Sequence, residues 1–213
     1  MSIENKVAQL LLQINAIKLS PQKPFTWASG LKAPIYCDNR IVLSHPAVRK
    51  QIVSFFLQKS ESFPTFDMVA GVATAGIAHG VLLADALDQP FAYVRTKAKS
   101  HGRQNLIEGE VQGHERILVV EDLISTGGSS LAAVEALRET GAEVVGIIAI
   151  FTYGFKQARA AFAEANCPFE TLTNYPTLLE EAISATYIET ADLKTLQTWC
   201  EDPKLWSAQF KSD

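Results

Sequence analysis

No stretch of this chain approaches the roughly 18 uninterrupted apolar residues of a membrane-crossing helix. The opening residues, Met1–Lys6, carry Glu4 and lack a basic segment followed by a short apolar run, so no export signal is expected. Cysteine is scarce and odd in number: Cys37, Cys167 and Cys200 are far apart, which fits neither a disulfide framework nor the paired spacing of a zinc site. A reducing, cytoplasmic setting is the expectation. Cations are not in excess either. With a formal charge of −4, the chain lacks the surplus of Lys and Arg that a general nucleic-acid surface uses to neutralise phosphates. Two common phosphate signatures are missing, since there is no Gly-Lys-Ser/Thr P-loop and no Gly-x-Gly-x-x-Gly fingerprint. Repeats, low-complexity tracts and linkers are also absent. Nucleic-acid and membrane partners are therefore not expected, and any phosphate chemistry must be local.

What is present is an ordinary globular composition, 47% hydrophobic and 20% charged, in 213 residues. That length suits one sizeable core with a small elaboration. We expect residues 1–213 to form a single domain in which residues 1–43 make a hood. Val7, Leu10, Leu11, Ile14 and Ile17 fall at helical spacing. From Phe25 to Leu43, aromatic and β-branched residues with Gly30 and Pro34 read as short strands and turns. Ser44 is the expected cap of a helix with Pro46 in its first turn. Beyond it, short apolar strands (68–71, 91–95, 117–120, 144–151 and 169–172) alternate with helices near 76–87, 128–140 and 156–164, and two helical stretches close the chain. This is an α/β pattern, a central parallel sheet flanked by helices on both faces, with ligands expected beyond the carboxyl ends of the strands. The only long connection is 96–116.

The run Ile117-Leu118-Val119-Val120-Glu121-Asp122-Leu123-Ile124-Ser125-Thr126-Gly127-Gly128-Ser129-Ser130 carries the chemistry. An apolar strand delivers two acids, and a turn of small and hydroxylated residues then opens a helix. Such a turn lets successive main-chain N–H groups converge on an anion at the positive end of the helix dipole, which suits a phosphate monoester. The acids can accept hydrogen bonds from vicinal sugar hydroxyls, as acids do for ribose in dinucleotide sites. A plain capped connection with solvated acids is the alternative for a Gly-Gly turn alone.

Val119–Ser130 resembles the phosphoribosyl pyrophosphate motif of the type I phosphoribosyltransferases. The segments Phe25–Tyr36 (FTWASGLKAPIY) and Arg95–Gly102 (RTKAKSHG) resemble those of orotate phosphoribosyltransferases within that family. The resemblance spans essentially the whole chain. It implies the type I phosphoribosyltransferase fold and transfer of ribose 5-phosphate from phosphoribosyl pyrophosphate to orotate, in UMP biosynthesis. It also implies that the Ser125–Ser129 turn binds the 5′-phosphate and that Glu121 and Asp122 hold the ribose. The donor set then comprises Arg95, Lys99, His101, Glu121, Asp122, Leu123, Ile124, Ser125, Thr126, Gly127, Gly128 and Ser129. Ser125 additionally contacts orotate, and Lys99, His101 and Asp122 are the catalytic candidates. Mg2+ is expected to arrive mainly through the pyrophosphate, with no metal site of the protein's own. A homodimer that shares the basic loop across its interface is implied as well. Another base phosphoribosyltransferase is the nearest rival, and a non-catalytic sensor of phosphoribosyl pyrophosphate the rival from another class.

The basic run has its own reading, because Arg95, Lys97, Lys99 and Arg103 with His101 form a stretch free of acids in an acidic chain. Set in the long connection beside glycines 102, 109 and 113, it is expected to act as a lid over pyrophosphate. His45, His79 and His114 have no ligand-spaced neighbours and are expected to pack or face solvent. Trp199 and Trp206 are expected to cover the core, Tyr36 to belong to the hood, and Trp27 to hood or simply pack. The chain departs from the family at Ala28 and Ala75, where many members have lysine, and at Tyr153, where many have arginine; Lys32 or Lys97 are the candidate replacement charges, and Tyr153 offers a hydroxyl.

Overall fold

The computed structural model describes residues 1–95 and 106–210. Helix α1 (Ile3–Gln13) starts at Ser2, whose hydroxyl accepts from the Asn5 N–H at 3.2 Å, and buries Val7, Ala8, Leu11 and Leu12. It stops four residues before the apolar periodicity does. Asn15 takes φ +55°, and Ile17 instead opens a strand with its side chain buried, so a three-residue spacing served two elements. Strands β1 (Ile17–Leu19), β2 (Phe25–Thr26), β3 (Lys32–Ala33) and β4 (Ile35–Cys37) follow. β1 pairs with β4 and β2 with β3, both antiparallel. A 3-10 helix over Asn39–Ser44 leads to α2 (Pro46–Ser60). Ser44 therefore closes the 3-10 helix rather than capping α2. His45 holds the cap position without a side-chain bond, and Pro46 begins the helix, where its missing N–H costs nothing.

The main sheet is built from β5 (Met68–Val72), helix α3 (Ala75–Leu87), β6 (Phe91–Val94), β7 (Ile107–Glu108), β8 (Arg116–Ile124), helix α4 (Gly128–Arg138), β9 (Glu143–Thr152), helix α5 (Lys156–Glu164) and β10 (Phe169–Asn174). Helices α6 (Tyr175–Ser184), α7 (Leu193–Glu201) and α8 (Pro203–Ala208) follow, three rather than the two expected. Strand order is β10-β9-β8-β5-β6-β7, parallel except for β7, which pairs antiparallel with β6 inside the long connection. Alternation along β8 sorts the core into two layers. Leu118 and Val120 pack with α1, α2, α6 and α7, whereas Ile117 and Val119 pack with α4 and α5. Both faces are thereby covered, as continuously apolar parallel strands require. Trp199 and Trp206 are buried on α7 and α8, and the Ser207 hydroxyl of α8 accepts from the Lys32 N–H at 2.8 Å, which fastens the hood to the carboxyl-terminal helices.

One glycine sets how closely a helix meets the sheet. A Cβ on Gly76 would stand 2.4 Å from the Val120 carbonyl oxygen, so its absence lets the start of α3 lie directly on β8.

Candidate active site

Sequence reading ended the central strand at Val120, but β8 runs on to Ile124. β9 keeps pairing, with Glu121 opposite Ala149, Leu123 opposite Phe151 and Ile124 opposite Thr152. β5 has already stopped at the Gly71–Val120 pair. The two acids therefore stand on a strand that projects past its β5 neighbour, above the turn connecting β5 to α3. A cleft of about 250 Å³ occupies that step, lined by Ala73, Thr74 and Ala75 on one side and by Glu121, Asp122, Leu123 and Ser125–Ser129 on the other.

The floor consists of two strand-to-helix turns. Gly127 takes φ +86°, a conformation that L side chains rarely adopt, and bends the chain from β8 into α4. Neither α3 nor α4 has a side-chain cap or an acid in its first turn. Their leading N–H groups have no intrahelical partner, and both helix dipoles are positive at this end, so the cleft suits an anion. Ser130, the third residue of α4, instead donates its hydroxyl to Glu121 Oε2 at 3.2 Å. Glu121 Oε1 accepts from the Asp122 N–H at 3.0 Å. Glu121 is buried and Asp122 partly so. Burial, and then the negative charge of Asp122, hold the Glu121 carboxyl above the ordinary range, and burial raises Asp122 likewise.

A second cleft of about 370 Å³ shares Ser125 and Thr126 with the first. Its walls include Trp27 and Leu31 of the hood, Phe155 and Lys156 at the start of α5, and Cys200–Lys204 at the α7–α8 junction. Trp27 packs as well as lines: its ring lies 5.5 Å from Tyr153 and 5.7 Å edge-on from Trp199, and its Nε1 donates to the Ile35 carbonyl at 3.0 Å. Tyr153 is buried among Phe151, Phe155, Tyr175 and Trp199. Burial pushes its phenol up, so it stays neutral at physiological pH.

The structure thus gathers Glu121, Asp122, Leu123 and Ser125–Ser129 around one opening. Ile124 is turned into the core, and its carbonyl accepts from Thr152 Oγ1 at 3.0 Å. Arg95 follows β6, two strands from β8, with its Nη1 3.4 Å from Glu108 Oε1. Lys97, Lys99 and His101 lie outside the described residues. Lys32 Nζ donates to Thr26 Oγ1 at 2.9 Å, within the β2–β3 hairpin. His45 and His114 are exposed and His79 is buried. Sequence reading missed Thr74 and its neighbours as cleft residues, although Ala73-Thr74-Ala75-Gly76 repeats the small-residue turn that marks the end of β8. It also missed Asn39, whose partner is 83 residues away.

Among the described residues no three His, Cys, Asp or Glu gather as a metal site. Two adjacent carboxylates at the cleft are a donor set that fits Mg2+, which keeps most of its waters and takes one or two carboxylates together with substrate phosphate oxygens.

A family profile described as Phosphoribosyl transferase domain matches residues 38–172. An orotate phosphoribosyltransferase of Listeria innocua is 53% identical over 207 residues, covering 97% of this chain and 99% of that protein. One from Bacteroides fragilis is 52% identical over 207 residues, covering 96% and 97%. Among solved structures, the crystal structure of orotate phosphoribosyltransferase from Aeropyrum pernix is similar with a TM-score of 0.74 and 26% identity, covering 86% of this chain and 99% of that one.

Proposed function

The chain belongs to the phosphoribosyltransferase family and, within it, to the orotate phosphoribosyltransferases, and from that premise we propose how its residues divide the reaction. It transfers ribose 5-phosphate from phosphoribosyl pyrophosphate to orotate, giving orotidine 5′-monophosphate and pyrophosphate for pyrimidine biosynthesis. The observation that carries the assignment of roles is the step between β5 and β8, where an acid pair overhangs two uncapped helix starts.

The main-chain amides of Ser125–Ser129 receive the 5′-phosphate, and Glu121 and Asp122 accept from the ribose hydroxyls. Orotate lies against Ser125, beneath the hood that Trp27 belongs to. As N1 of orotate forms its bond to the anomeric carbon, the bond to pyrophosphate breaks and the electron pair leaves with it. Positive charge grows on the ribose ring beside the Asp122 carboxylate, and negative charge grows on the leaving group. Arg95, Lys99 and His101 offset the latter, and loss of one such cation should cost about 2–4 kcal/mol of transition-state stabilisation. Mg2+ would arrive mainly with the pyrophosphate and would supply further neutralisation of its charge, with Glu121 and Asp122 as the nearest carboxylates of the chain. Asp122 is also the carboxylate we assign to receive the N1 proton.

Completion of each site by a partner's basic loop, in a homodimer, is part of the proposal, as is a single unit over residues 1–213 with residues 1–43 as hood. Three unpaired cysteines support a cytoplasmic setting. The test mixes protein, Mg2+ and phosphoribosyl pyrophosphate with orotate, uracil or a purine base. A fall in absorbance with orotate alone is expected, and turnover of another base without orotate would overturn the acceptor.

A further inference from the structure

β8 holds one register with β9 from Leu118 to Ile124, while its pairing with β5 ends at Val120, so Asp122 lies past the reach of β5. Its main-chain groups are instead engaged by side chains. The Asp122 N–H donates to Glu121 Oε1 at 3.0 Å, and the Asp122 carbonyl accepts from Asn39 Nδ2 at 2.7 Å. Asn39 is fully buried in the 3-10 helix that closes the hood, a costly place for an amide unless its bonds fix something. Its other end is used too, since Asn39 Oδ1 accepts from the Cys37 thiol of β4 at 3.5 Å. One side chain thereby spans from the last hood strand to a β8 residue past the end of β5.

We propose that Asn39 is a positioning residue for ribose recognition: its amide anchors the Asp122 main chain where β5 no longer pairs with β8 and sets the carboxylate pair at the height the sugar hydroxyls require. The inference rests on the reading of Glu121 and Asp122 as the ribose clasp. The hydrogen bonds of the Asn39 side chain reach Cys37 and Asp122 and not the Ser125–Ser129 turn, so the two halves of donor binding are expected to separate. Asn39 also joins that clasp to the hood, so a shift of β4 reaches the sugar site through one amide.

The test compares ribose 5-phosphate with inorganic phosphate as ligands of the full chain, by calorimetry, alongside steady-state constants. In Asn39→Ala the ribose 5-phosphate dissociation constant should rise about 10- to 100-fold, the loss expected when a buried polar partner is removed. Inorganic phosphate should bind as it does to the parent, and KM for orotate should change less than KM for the donor. Asn39→Asp keeps the shape and supplies a chemical rescue. Its carboxyl can donate to the Asp122 carbonyl only when protonated, so its sugar affinity relative to the parent should fall as pH rises. This variant also decides the matter should the alanine form fail to fold. Equal weakening of both ligands, or an unchanged ratio between them at all pH values, would overturn the proposal. Failure of the parent to prefer ribose 5-phosphate over phosphate would instead sink the clasp reading on which it rests.

Discussion

Adding one methyl group at Gly127 tests whether the phosphate turn is held in its observed shape. The residue has φ +86°, and a Cβ there would stand 2.6 Å from Cε2 of Phe162. Phe162 cannot retreat easily, because it is buried in the layer beneath α4 and its ring lies 4.5 Å from that of Phe169. A non-glycine residue in this region costs about 1–3 kcal/mol, and overpacking a filled core about 1–3 kcal/mol more. Together these give roughly 2–6 kcal/mol for Gly127→Ala, which for a chain of this size lowers the melting temperature by roughly 4–24 °C. Displaced amides should also weaken donor use by up to about 100-fold, the cost of a misplacement near 1 Å. Gly128→Ala is the internal control. It begins α4, has an ordinary φ and finds nothing within 4 Å of its Cβ, so it should melt within about 2 °C of the parent. The combination Gly127→Ala with Phe162→Leu should recover part of the steric loss but none of the backbone cost. Scanning calorimetry and the orotate absorbance assay read all four forms. Should Gly127→Ala melt and turn over like the parent while Gly128→Ala does not, the turn described here is wrong.

Glu121→Gln trades function for stability. The folded carboxyl sits above its ordinary range, so its ionisation opposes folding, a cost absent below that range and full once pH passes the raised value. The variant should melt higher than the parent at pH 8, equally at pH 4, and lose donor binding; a lower melting temperature at pH 8 would refute the burial argument. His79 acts in the opposite pH direction. Both its ring nitrogens are buried without a hydrogen-bond partner, and burial lowers its pKa to about 4. Because the unfolded ring protonates near 6.5, stability should be complete above that pH and fall by about 3 kcal/mol as pH drops to 4. Urea titrations should show this slope flattened in His79→Leu, and an unaltered slope would acquit His79. Mixing Lys99→Ala with Asp122→Asn protein, under conditions of subunit exchange, should restore activity to about a quarter of sites if the basic loop serves the partner. No recovery would place loop and clasp in the same chain.

Helices and strands were legible where one pattern served one element. The α5 boundaries follow directly from a polar start and an amphipathic run, and the apolar runs of β5, β8 and β9 announce a sheet covered on both faces. Failures occurred where a distant partner decided. β8 extends four residues past its apolar run because β9 continues beside it, so Glu121 and Asp122 are strand residues with strand geometry. α1 ends before Ile17 because β4 captures that residue. The donor turn was visible because its chemistry is local, in adjacent acids and small residues. Asn39 was invisible because nothing in Asp38-Asn39-Arg40 shows that its amide closes on a carbonyl 83 residues later.

The same locality explains an imbalance of charge at the site. Among the described residues, the lining of the cleft contains two carboxylates and no Lys, Arg or His, yet the ligand it suits is an anion. Two helix starts offset only part of that, at about 0.3–1 kcal/mol each for an exposed charge and up to about 2 kcal/mol in partly buried geometries. In the proposed reaction the acids favour positive charge developing on the sugar, which makes this lining a poor host for free pyrophosphate. Under the proposed reaction, cations for the leaving group are expected from outside this described lining, and the sequence offers one concentrated source, the acid-free run from Arg95 to Arg103. Dividing the charges in this way has a kinetic use. A cleft with its own fixed cations would retain pyrophosphate after transfer, whereas the lid expected from the sequence would let the product leave.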